Sequence, residues 1–311
     1  MSETMRDIHD PNLEPLGAPR KRLAPWLRKK LPPQGTVEEV RGLVDGLDLH
    51  TVCQSARCPN LNECWSRKAA TFMIMGDICT RTCRFCTVPK GKPLALDPRE
   101  PEHVAEAAAK LGLRHVVVTS VDRDELPDQG AGHFAATIRA IRARLPESVI
   151  EVLTPDFRGE ADCVDIVSDA GPDIFNHNIE TVPSLYKRVR PGAQYQRSLD
   201  LLARVKERHP TQFTKSGLML GLGESKDELD RVMGDLRGVG VDILTLGQYL
   251  RPSLAQLPVE RFVPPEEFDE LGALGREHGF LAVASAPFVR SSYNAEEVYQ
   301  ALGARSGAGS A

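Results

Sequence analysis

No run of apolar residues in this sequence approaches the roughly 18 residues that a membrane-spanning helix needs. The N-terminus carries Glu3, Asp7 and Asp10, whereas a secretion signal begins with basic and then apolar residues, and a transit peptide is poor in acids. A formal net charge of -4 gives no overall basic field of the kind that marks a nucleic-acid-binding protein. These absences predict a cytoplasmic protein that binds neither membranes nor nucleic acids.

A disulfide framework is also excluded, because the cysteines are too few and too unevenly placed for a chain of 311 residues. There are seven of them, an odd number, and six fall between residues 53 and 86, which leaves Cys163 alone. With 41% hydrophobic residues, the chain can bury the core of one large domain or two small ones without disulfide bonds. Clustered thiols in a reducing compartment indicate a metal centre instead.

The clustered thiols form two sets of three. The first triad, in the stretch TVCQSARCPNLNECW, is Cys53, Cys58 and Cys64. The second triad, in the stretch DICTRTCRFC, is Cys79, Cys83 and Cys86. A soft metal centre usually has four ligand positions, and no histidine lies between His50 and His103 to supply the missing ones. Each triad therefore leaves one position open.

Strand-like and helix-like segments alternate through most of the chain. Apolar strand-like runs occupy residues 71–77, 114–120, 149–155, 173–179, 213–223 and 242–250. Each is followed by a segment with helical periodicity, at 101–112, 131–145, 159–171, 198–208, 226–240 and 264–279. Six such units in a row favour a parallel barrel or an open doubly wound sheet. No GxGxxG follows the first strand, as it would in a dinucleotide-binding sheet.

Polar residues collect where these predicted strands end. They are Thr119, Ser120, Asp122, Asn176, Asn178, Glu180, Glu224, Gln248 and Tyr249. Taken singly, such residues are more often ordinary turn and cap residues. In a barrel, however, the loops that follow the strands form the functional face, and the second triad follows the first strand. Their common location therefore favours a site on that face.

The spacing CxxxCxxC of the second triad is suited to three corners of a 4Fe-4S cube, with one iron left open for another ligand. A zinc site would need a fourth protein ligand, and a ferredoxin would fill every corner with cysteine. The stretch CTRTCRFC resembles the CxxxCx-aromatic-C signature of radical S-adenosylmethionine (SAM) enzymes. This resemblance implies that SAM chelates the open iron and is cleaved to a 5'-deoxyadenosyl radical.

From about residue 20 to 295 the chain resembles the lipoyl synthases. The matching segments are CQSARCPNLNECW, CTRTCRFC, VVVTSVDRDELPDQGAGHF, FNHNIETV, GLMLGLGE, LGQYLRP and the RSSY of residues 290–293. The resemblance implies an α/β fold, a partial (β/α)6 TIM-like barrel with N-terminal and C-terminal extensions. It also implies three regions, an N-terminal arm with the auxiliary-cluster motif (1–69), the radical SAM barrel (70–285) and a tail with RSSY (286–311).

The activity implied by this resemblance is the insertion of two sulfur atoms at C6 and C8 of a protein-bound octanoyl-lysine. These carbons are unactivated, so a radical oxidant is needed, and two C–S bonds require two SAM molecules. The first triad would hold a second 4Fe-4S cluster, whose sulfides are the donors. The implied partners are an octanoylated lipoyl carrier domain or the glycine-cleavage H protein, an electron donor such as ferredoxin or flavodoxin, and an iron–sulfur carrier that rebuilds the consumed cluster.

Two other classes fit some of the same features. A binding or electron-transfer protein would hold clusters without consuming them. A methylthiotransferase also pairs two three-cysteine clusters, but it normally carries an added RNA-binding domain, for which we expect no room after residue 295.

The resemblance implies cofactor contacts residue by residue. Phe85, Gly221 and Glu224 would lie near the adenine, Thr119, Ser120 and Asp122 near the methionyl amine, and Asn178 and Glu180 toward the ribose. His177 is expected to be a structural histidine and Cys163 a core residue.

The RSSY segment is the predicted source of the fourth ligand to the auxiliary cluster. In an extended segment alternate residues share a face, so Ser292 would point with Arg290 and away from Ser291. By family resemblance Ser292 is the expected ligand, because a serine oxygen is a hard, unusual ligand for iron that suits a leaving role. The alternative is a plain C-terminal turn.

The basic stretch near the N-terminus has two interpretations. Its residues are Arg20, Lys21, Arg22, Arg28, Lys29 and Lys30. It would steer an acidic carrier domain, or it is a solvated run of charge.

Overall fold

The fold is built on a sheet of seven parallel strands whose order in space follows their order in the chain. The computed structural model describes residues 18–19, 21–28, 35–297 and 299. The strands are β1 (Thr71–Ile74), β2 (His115–Ser120), β3 (Val149–Leu153), β4 (Ile174–Asn176), β5 (Phe213–Leu220), β6 (Ile243–Gln248) and β7 (Ala282–Ser285). Every neighbouring pair is parallel, and β1 and β7 are the two edges.

Helices follow each of the first six strands. The α-helices are α1 (Gly35–Gly46), α2 (Val52–Ser55), α3 (Leu61–Ser66), α4 (Glu100–Leu111), α5 (Ala131–Arg144), α6 (Ala161–Asp169), α7 (Tyr186–Val189), α8 (Tyr195–Arg208), α9 (Lys226–Gly238) and α10 (Pro265–Glu277). Short 3₁₀ helices occur at Pro25–Leu27, Phe157–Gly159 and Pro183–Leu185. None of the helices in the described residues is both long and apolar enough to cross a bilayer.

The predicted partial (β/α)6 barrel is confirmed. Strands such as β2, with the sequence HVVVTS, are buried through most of their length, as expected when a parallel sheet packs against helices. The helices α4, α5, α6 and α8 pack side by side in chain order. A doubly wound sheet would reverse its strand order at a switch point, and this sheet does not.

The seventh strand, β7, was not among the predicted strands. Its sequence AVAS is four residues long, and every residue is only partly buried. Pairing with β6, from Ala282 opposite Ile243 to Ser285 opposite Leu246, stabilises it as a strand. Small residues in so short a segment carry little strand signal of their own.

The segment before the barrel covers the β1 edge. Residue Thr51 bridges to Phe72 in β1, and Met73 donates its N–H to the carbonyl of His50 over 2.9 Å. Helix α1 packs on α3, where Trp65 is fully buried. The otherwise open edge strand is therefore protected.

The N-terminal arm lies against the loop that follows β6. Lys21 donates to the carbonyl of Glu260 over 2.7 Å, and Trp26 Nε1 donates to the carbonyl of Val263 over 3.2 Å. Arg20, Lys29 and Lys30 of the predicted basic stretch lie outside the described residues, as does the end of the chain from residue 300. The division of the chain after residues 69 and 285 stays a prediction.

The segment after β7 returns along the end of β6. The backbone N–H of Gln248 donates to the carbonyl of Pro287 over 3.2 Å. Gly247 has no side chain, and the carbonyl oxygen of Val289 occupies the space that a Cβ would take. Asn60 then donates its side-chain amide to the carbonyl of Phe288 over 2.7 Å. These contacts place residues 290–293 beside the N-terminal segment.

Candidate active site

The second triad lies on the loop after β1 and lines a cavity at the carboxyl ends of the strands, where a parallel barrel has its functional face. Backbone hydrogen bonds fix this loop, since Cys79 donates to Pro89 over 2.8 Å and Arg84 donates to Val189 over 2.9 Å. Cys79 Sγ also lies 3.7 Å from a carboxylate oxygen of Asp122, in the loop after β2. The three thiols therefore share one cavity with groups from neighbouring strands.

A buried ionic cluster holds the middle of the cysteine loop. Arg81 forms ion pairs with Asp124 and, over 3.0 Å, with Asp156, whose side chain is almost completely buried. Arg197 reaches the second oxygen of Asp156 over 3.1 Å. Charge-assisted hydrogen bonds of this kind are stronger and more directional than neutral ones. They fix the loop residue that lies between the first two thiols.

The free thiols of the second triad are poor acids in this site. Burial raises the pKa of Cys79 to about 11 and that of Cys83 to about 12, with nearby carboxylates and thiols adding to the effect. Burial also raises the pKa of Cys86. Thiolates here need a compensating positive charge, which is what a bound metal cluster provides.

Six of the side chains predicted as cofactor contacts line the same cavity. They are Phe85, Thr119, Ser120, Asp122, Asn178 and Glu180. Burial raises the pKa of Asp122 to about 6, although Arg81 opposes this shift. The structure thus brings these residues to the thiols, and their contact with a cofactor stays a prediction.

Glu180 is held in an unusual backbone conformation. Its φ of 67° is in the left-handed region, which a glutamate rarely adopts. Its N–H donates to Gly217 and its carbonyl accepts from Met219, both over 2.9 Å, so the residue is joined to β5. This pairing overcomes the backbone cost and places Glu180 in the wall of the cavity.

Gly221 and Glu224 are not among the residues that line this cavity. Glu224 is buried, and its carboxylate accepts hydrogen bonds from the N–H groups of Gly221 and Leu222, the latter over 2.9 Å. Gly221 has a φ of 94°, and the side chain of Gln248 lies where its Cβ would be. The pair therefore shapes the loop after β5, and its predicted contact with adenine gains no support from this geometry.

His177 has the structural role that was expected of it. It is almost completely buried, and its ring nitrogens lie 2.9 Å from the carbonyl of Thr154 and 2.9 Å from Ser198 Oγ. Burial lowers the pKa of His177 to about 4, so the ring is neutral at physiological pH. Cys163 is buried in α6, which confirms it as a core residue.

Arg190 lines the cavity although it belongs to no recognisable sequence motif. Its Nη1 donates to the carbonyl of Asn178 over 2.9 Å, and its guanidinium lies 5.7 Å from the ring centre of Tyr186. Its buried Nε has no hydrogen-bond partner among the described residues. No local pattern marks this arginine, which follows α7 and reaches the cavity only through the tertiary fold.

The first triad lines a second cavity, of about 320 Å³, at the β1 edge of the sheet. Cys53 belongs to α2 and Cys64 to α3, with Cys58 in the turn between them. Burial raises the pKa of the Cys53 thiol. Arg290 and Ser292 line the same cavity, so the structure brings the RSSY segment to these thiols as predicted.

The RSSY segment is a turn and not the predicted extended segment. Tyr293 N–H donates to the carbonyl of Arg290 over 2.9 Å, and the Tyr293 hydroxyl lies 2.7 Å from Glu63 in α3. Ser291 nevertheless faces away from the first triad, toward Asn178. The two serines therefore face different sides, as predicted, but the cause is the turn and not the alternation of an extended strand.

Both cavities suit a group larger than a single ion. No three His, Cys, Asp or Glu side chains in the described part of the chain are grouped closely enough to hold one metal ion. Three thiols nevertheless line each cavity. Thiols spread around a cavity fit a cluster of iron and sulfide, whose corners bind cysteines separately, better than they fit zinc.

Comparisons with known proteins agree with this geometry. The model of the radical SAM superfamily matches residues 73–236. Among curated proteins, the lipoyl synthase of Nitrosococcus oceani is 59% identical over 89% of this chain and 86% of its own length. The lipoyl synthases of Rubrobacter xylanophilus and Methylococcus capsulatus are 56% and 55% identical, over 90% and 92% of this chain and 89% of their own lengths.

Solved structures share the fold at low sequence identity. HydG, a maturase of FeFe-hydrogenase, matches with a TM-score of 0.53 and 16% identity over 68% of this chain and 50% of its own. SuiB of Streptococcus suis bound to S-adenosylmethionine matches with a TM-score of 0.52 and 12% identity over 78% and 57%. These likenesses show the architecture alone, whereas the curated relatives match nearly end to end, and the chain belongs to the lipoyl synthase family of radical SAM enzymes.

Proposed function

We propose that this protein inserts two sulfur atoms, at C6 and C8, into an octanoyl group that is amide-linked to a lysine of a carrier protein. The observation that carries the proposal is the pair of cavities, each lined by one cysteine triad, with Ser292 at the first and the predicted SAM contacts at the second. A protein that only holds clusters would fill every corner with cysteine, and would need neither a position left to SAM nor a serine in place of a fourth cysteine.

The residues of the second cavity fit a 4Fe-4S cluster with SAM. Three thiols would bind the cluster, and buried polar atoms without partners among the described residues remain for SAM, namely Ser120 Oγ, Asn178 Oδ1 and Arg190 Nε. Such atoms are costly unless a ligand satisfies them. The positive Arg190 suits a carboxylate, and the acidic Asp122 and Glu180 suit an amine and hydroxyl groups.

The residues of the first cavity fit an auxiliary 4Fe-4S cluster. Its three thiols supply firm anchors, and we propose Ser292 as the fourth, weaker ligand. Arg290 lines the same cavity, where burial lowers its pKa and Cys58 opposes that shift. A guanidinium in this position would stabilise negative charge on the serine oxygen and the thiolates.

When bound, the two clusters and SAM supply the radical oxidant and the sulfur that unactivated carbons require. The part played by this chain is to hold its thiols in buried positions, to fix their loops and to exclude water from the reacting groups. The Arg81 cluster fixes the loop of the second triad. The contacts of Asn60 and Tyr293 fix the tail beside the first triad.

The partners and location follow from the same proposal. The carrier is a lipoyl domain or the glycine-cleavage H protein, the electron donor a ferredoxin or flavodoxin, and an iron–sulfur carrier restores the auxiliary cluster in the cytoplasm. Arg22 and Arg28 are exposed and available to an acidic carrier.

Turnover under anaerobic conditions tests the proposal. Protein supplied with dithionite, SAM and an octanoyl-lysine peptide should release 5'-deoxyadenosine and methionine and add two sulfurs to the peptide, as measured by mass spectrometry. Cleavage of SAM without any gain of sulfur in the peptide would favour another radical SAM activity, and no cleavage at all would leave a cluster-binding protein.

A further inference from the structure

The turn from Arg290 to Tyr293 connects the two cavities, because its two serines face different ones. Ser292 lines the cavity of the first triad. Ser291 Oγ accepts a hydrogen bond of 2.6 Å from Asn178 Nδ2, and Asn178 lines the cavity of the second triad. One hydrogen bond therefore joins the proposed SAM site to the residue next to the proposed iron ligand.

The side chain of Asn178 is well placed to transmit the presence of a ligand. It is only 8% exposed, and its Nδ2 also lies 3.2 Å from Glu180 Oε1. Its Oδ1 is buried without a partner among the described residues. The protein thus uses the donor end of the amide, while the acceptor end, which lies beside Gly217 of β5, keeps its hydrogen-bonding capacity. A ligand in the cavity that bonds to this oxygen would not compete with the contact to Ser291.

Other contacts already hold the turn without passing through the second cavity. The hydroxyl of Tyr293 donates to the carboxylate of Glu63 over 2.7 Å, and the backbone N–H of Tyr293 donates to the carbonyl of Arg290. Asn60 holds the carbonyl of Phe288. Loss of the Ser291 hydroxyl should therefore leave the turn in place and remove its connection with Asn178.

We propose that Ser291 is a positioning residue, which couples occupancy of the SAM cavity to the order of the Arg290–Tyr293 turn and so to the placement of Ser292. The inference rests on the proposed function, because it takes SAM as the occupant of the cavity. Coupling between two sites is reciprocal. A ligand that fixes Asn178 stabilises the turn, and the intact turn strengthens ligand binding by the same factor.

Hydrogen exchange of the tail tests this coupling without turnover. Anaerobically prepared protein with both clusters is compared with and without SAM, in the absence of a reductant. In the wild type, SAM should slow exchange of the turn amides, among them that of Tyr293. In Ser291→Ala the affinity for SAM should fall about three- to tenfold, as expected for one lost hydrogen bond, and the added protection should disappear.

Two further variants sharpen the comparison. Ser291→Thr keeps a hydroxyl and should retain the protection that SAM adds. Ser184→Ala removes an exposed serine hydroxyl that bonds Glu228, far from the turn in sequence, and should behave as the wild type.

The outcomes are distinct. Ser291→Ala protein with wild-type affinity and wild-type added protection would overturn the inference. So would turn amides that exchange faster than in the wild type while SAM still slows them by the wild-type factor, since that marks a structural role only. Wild-type protein that binds no SAM would contradict the proposed function itself, and the inference with it.

Discussion

Ser292 is the serine of the RSSY turn that lines the cavity of the first triad, whereas the hydroxyl of Tyr293, which also lines it, bonds Glu63. We expect Ser292→Ala protein to assemble its auxiliary cluster on the three remaining thiols and to give sharply less lipoyl product, because the proposed fourth ligand is lost. Iron analysis and mass spectrometry of the product measure the two effects. Ser291→Ala should lose less product, since Ser291 faces Asn178. A fully active Ser292→Ala enzyme would remove this serine from the mechanism.

Arg190 brings a positive charge, with a buried Nε that lacks a partner among the described residues, into the wall of the second cavity. We expect Arg190→Gln to weaken SAM binding by roughly 10- to 100-fold, the range for a lost hydrogen bond to a charged group. Equilibrium binding without a reductant measures this loss. Arg190→Lys keeps the charge but not the planar guanidinium, so its affinity for SAM should lie between those of the wild type and Arg190→Gln. Unchanged affinity in Arg190→Gln would exclude a contact with SAM.

At this scale, prediction from sequence succeeds where the residue is part of a spaced motif. The cysteines and Ser292 belong to such motifs and can be identified from the sequence. Arg190 and Asp156 cannot be identified in this way, because their roles depend on partners that only the folded chain brings close. One example is the ion pair between Asp156 and Arg81. Glu224 shows the reverse, since its motif was found but its carboxylate caps its own loop.

The loop after β1 is the element that carries the second triad, so the three cysteines of that triad can be replaced together. Wild-type protein should bind about eight irons in two 4Fe-4S clusters. Replacing Cys79, Cys83 and Cys86 together with Ala should halve the iron and abolish SAM cleavage, because the other cluster has its own loop and cavity. Iron and sulfide analysis and a 5'-deoxyadenosine assay measure both. Full cleavage activity in this variant would contradict the assignment.

Helices α2 and α3, with the turn between them, carry the first triad. Replacing Cys53, Cys58 and Cys64 together with Ala should again halve the iron but leave reductive cleavage of SAM largely intact. Sulfur insertion should stop, because the proposed sulfur source is lost while the second cavity keeps its residues. The measurement pairs 5'-deoxyadenosine with lipoyl product. Normal product from this variant would place the sulfur source elsewhere.

At the scale of elements, six strand–helix units were predictable because long apolar runs and helical periodicity alternate clearly. Strand β7 was missed, since AVAS carries almost no pattern and depends on β6 for its hydrogen bonds. The RSSY segment was expected to be extended and is a turn, because the backbone hydrogen bond from Tyr293 to Arg290 closes it. Local sequence does not reveal such a closure when its anchors come from distant segments.

At the scale of the whole molecule, one carboxylate ties four strands together inside the barrel. Glu151 of β3 lies 2.9 Å from Lys215 Nζ of β5 and 3.0 Å from the side-chain amide of Asn176 in β4. His115 of β2 lies 3.3 Å from its other oxygen. Glu151 and Lys215 are almost completely shielded from solvent, so neither charge can be satisfied by water.

The charge of Glu151 should contribute to stability in a defined range of pH. Burial alone would raise its pKa, but Lys215 and His115 outweigh burial and lower the pKa to about 2. The unfolded value is about 4.3, so the stabilisation is complete above that pH and is lost as the pH falls toward about 2. The free energy of unfolding should therefore decrease over this interval.

Glu151→Gln separates this contribution from those of the other carboxylates. The variant leaves Lys215 buried without its charged partner, so its free energy of unfolding at pH 7 should fall by about 3–5 kcal/mol. Denaturant titrations at matched pH values should show the difference from wild type shrinking below about pH 4.3, where the wild-type carboxylate begins to lose its advantage. The double variant Glu151→Leu with Lys215→Met removes both charges and should be less destabilised than Glu151→Gln at pH 7, because no uncompensated charge stays buried. A difference between wild type and Glu151→Gln that does not change with pH would show that packing, and not the ion pair, accounts for the effect.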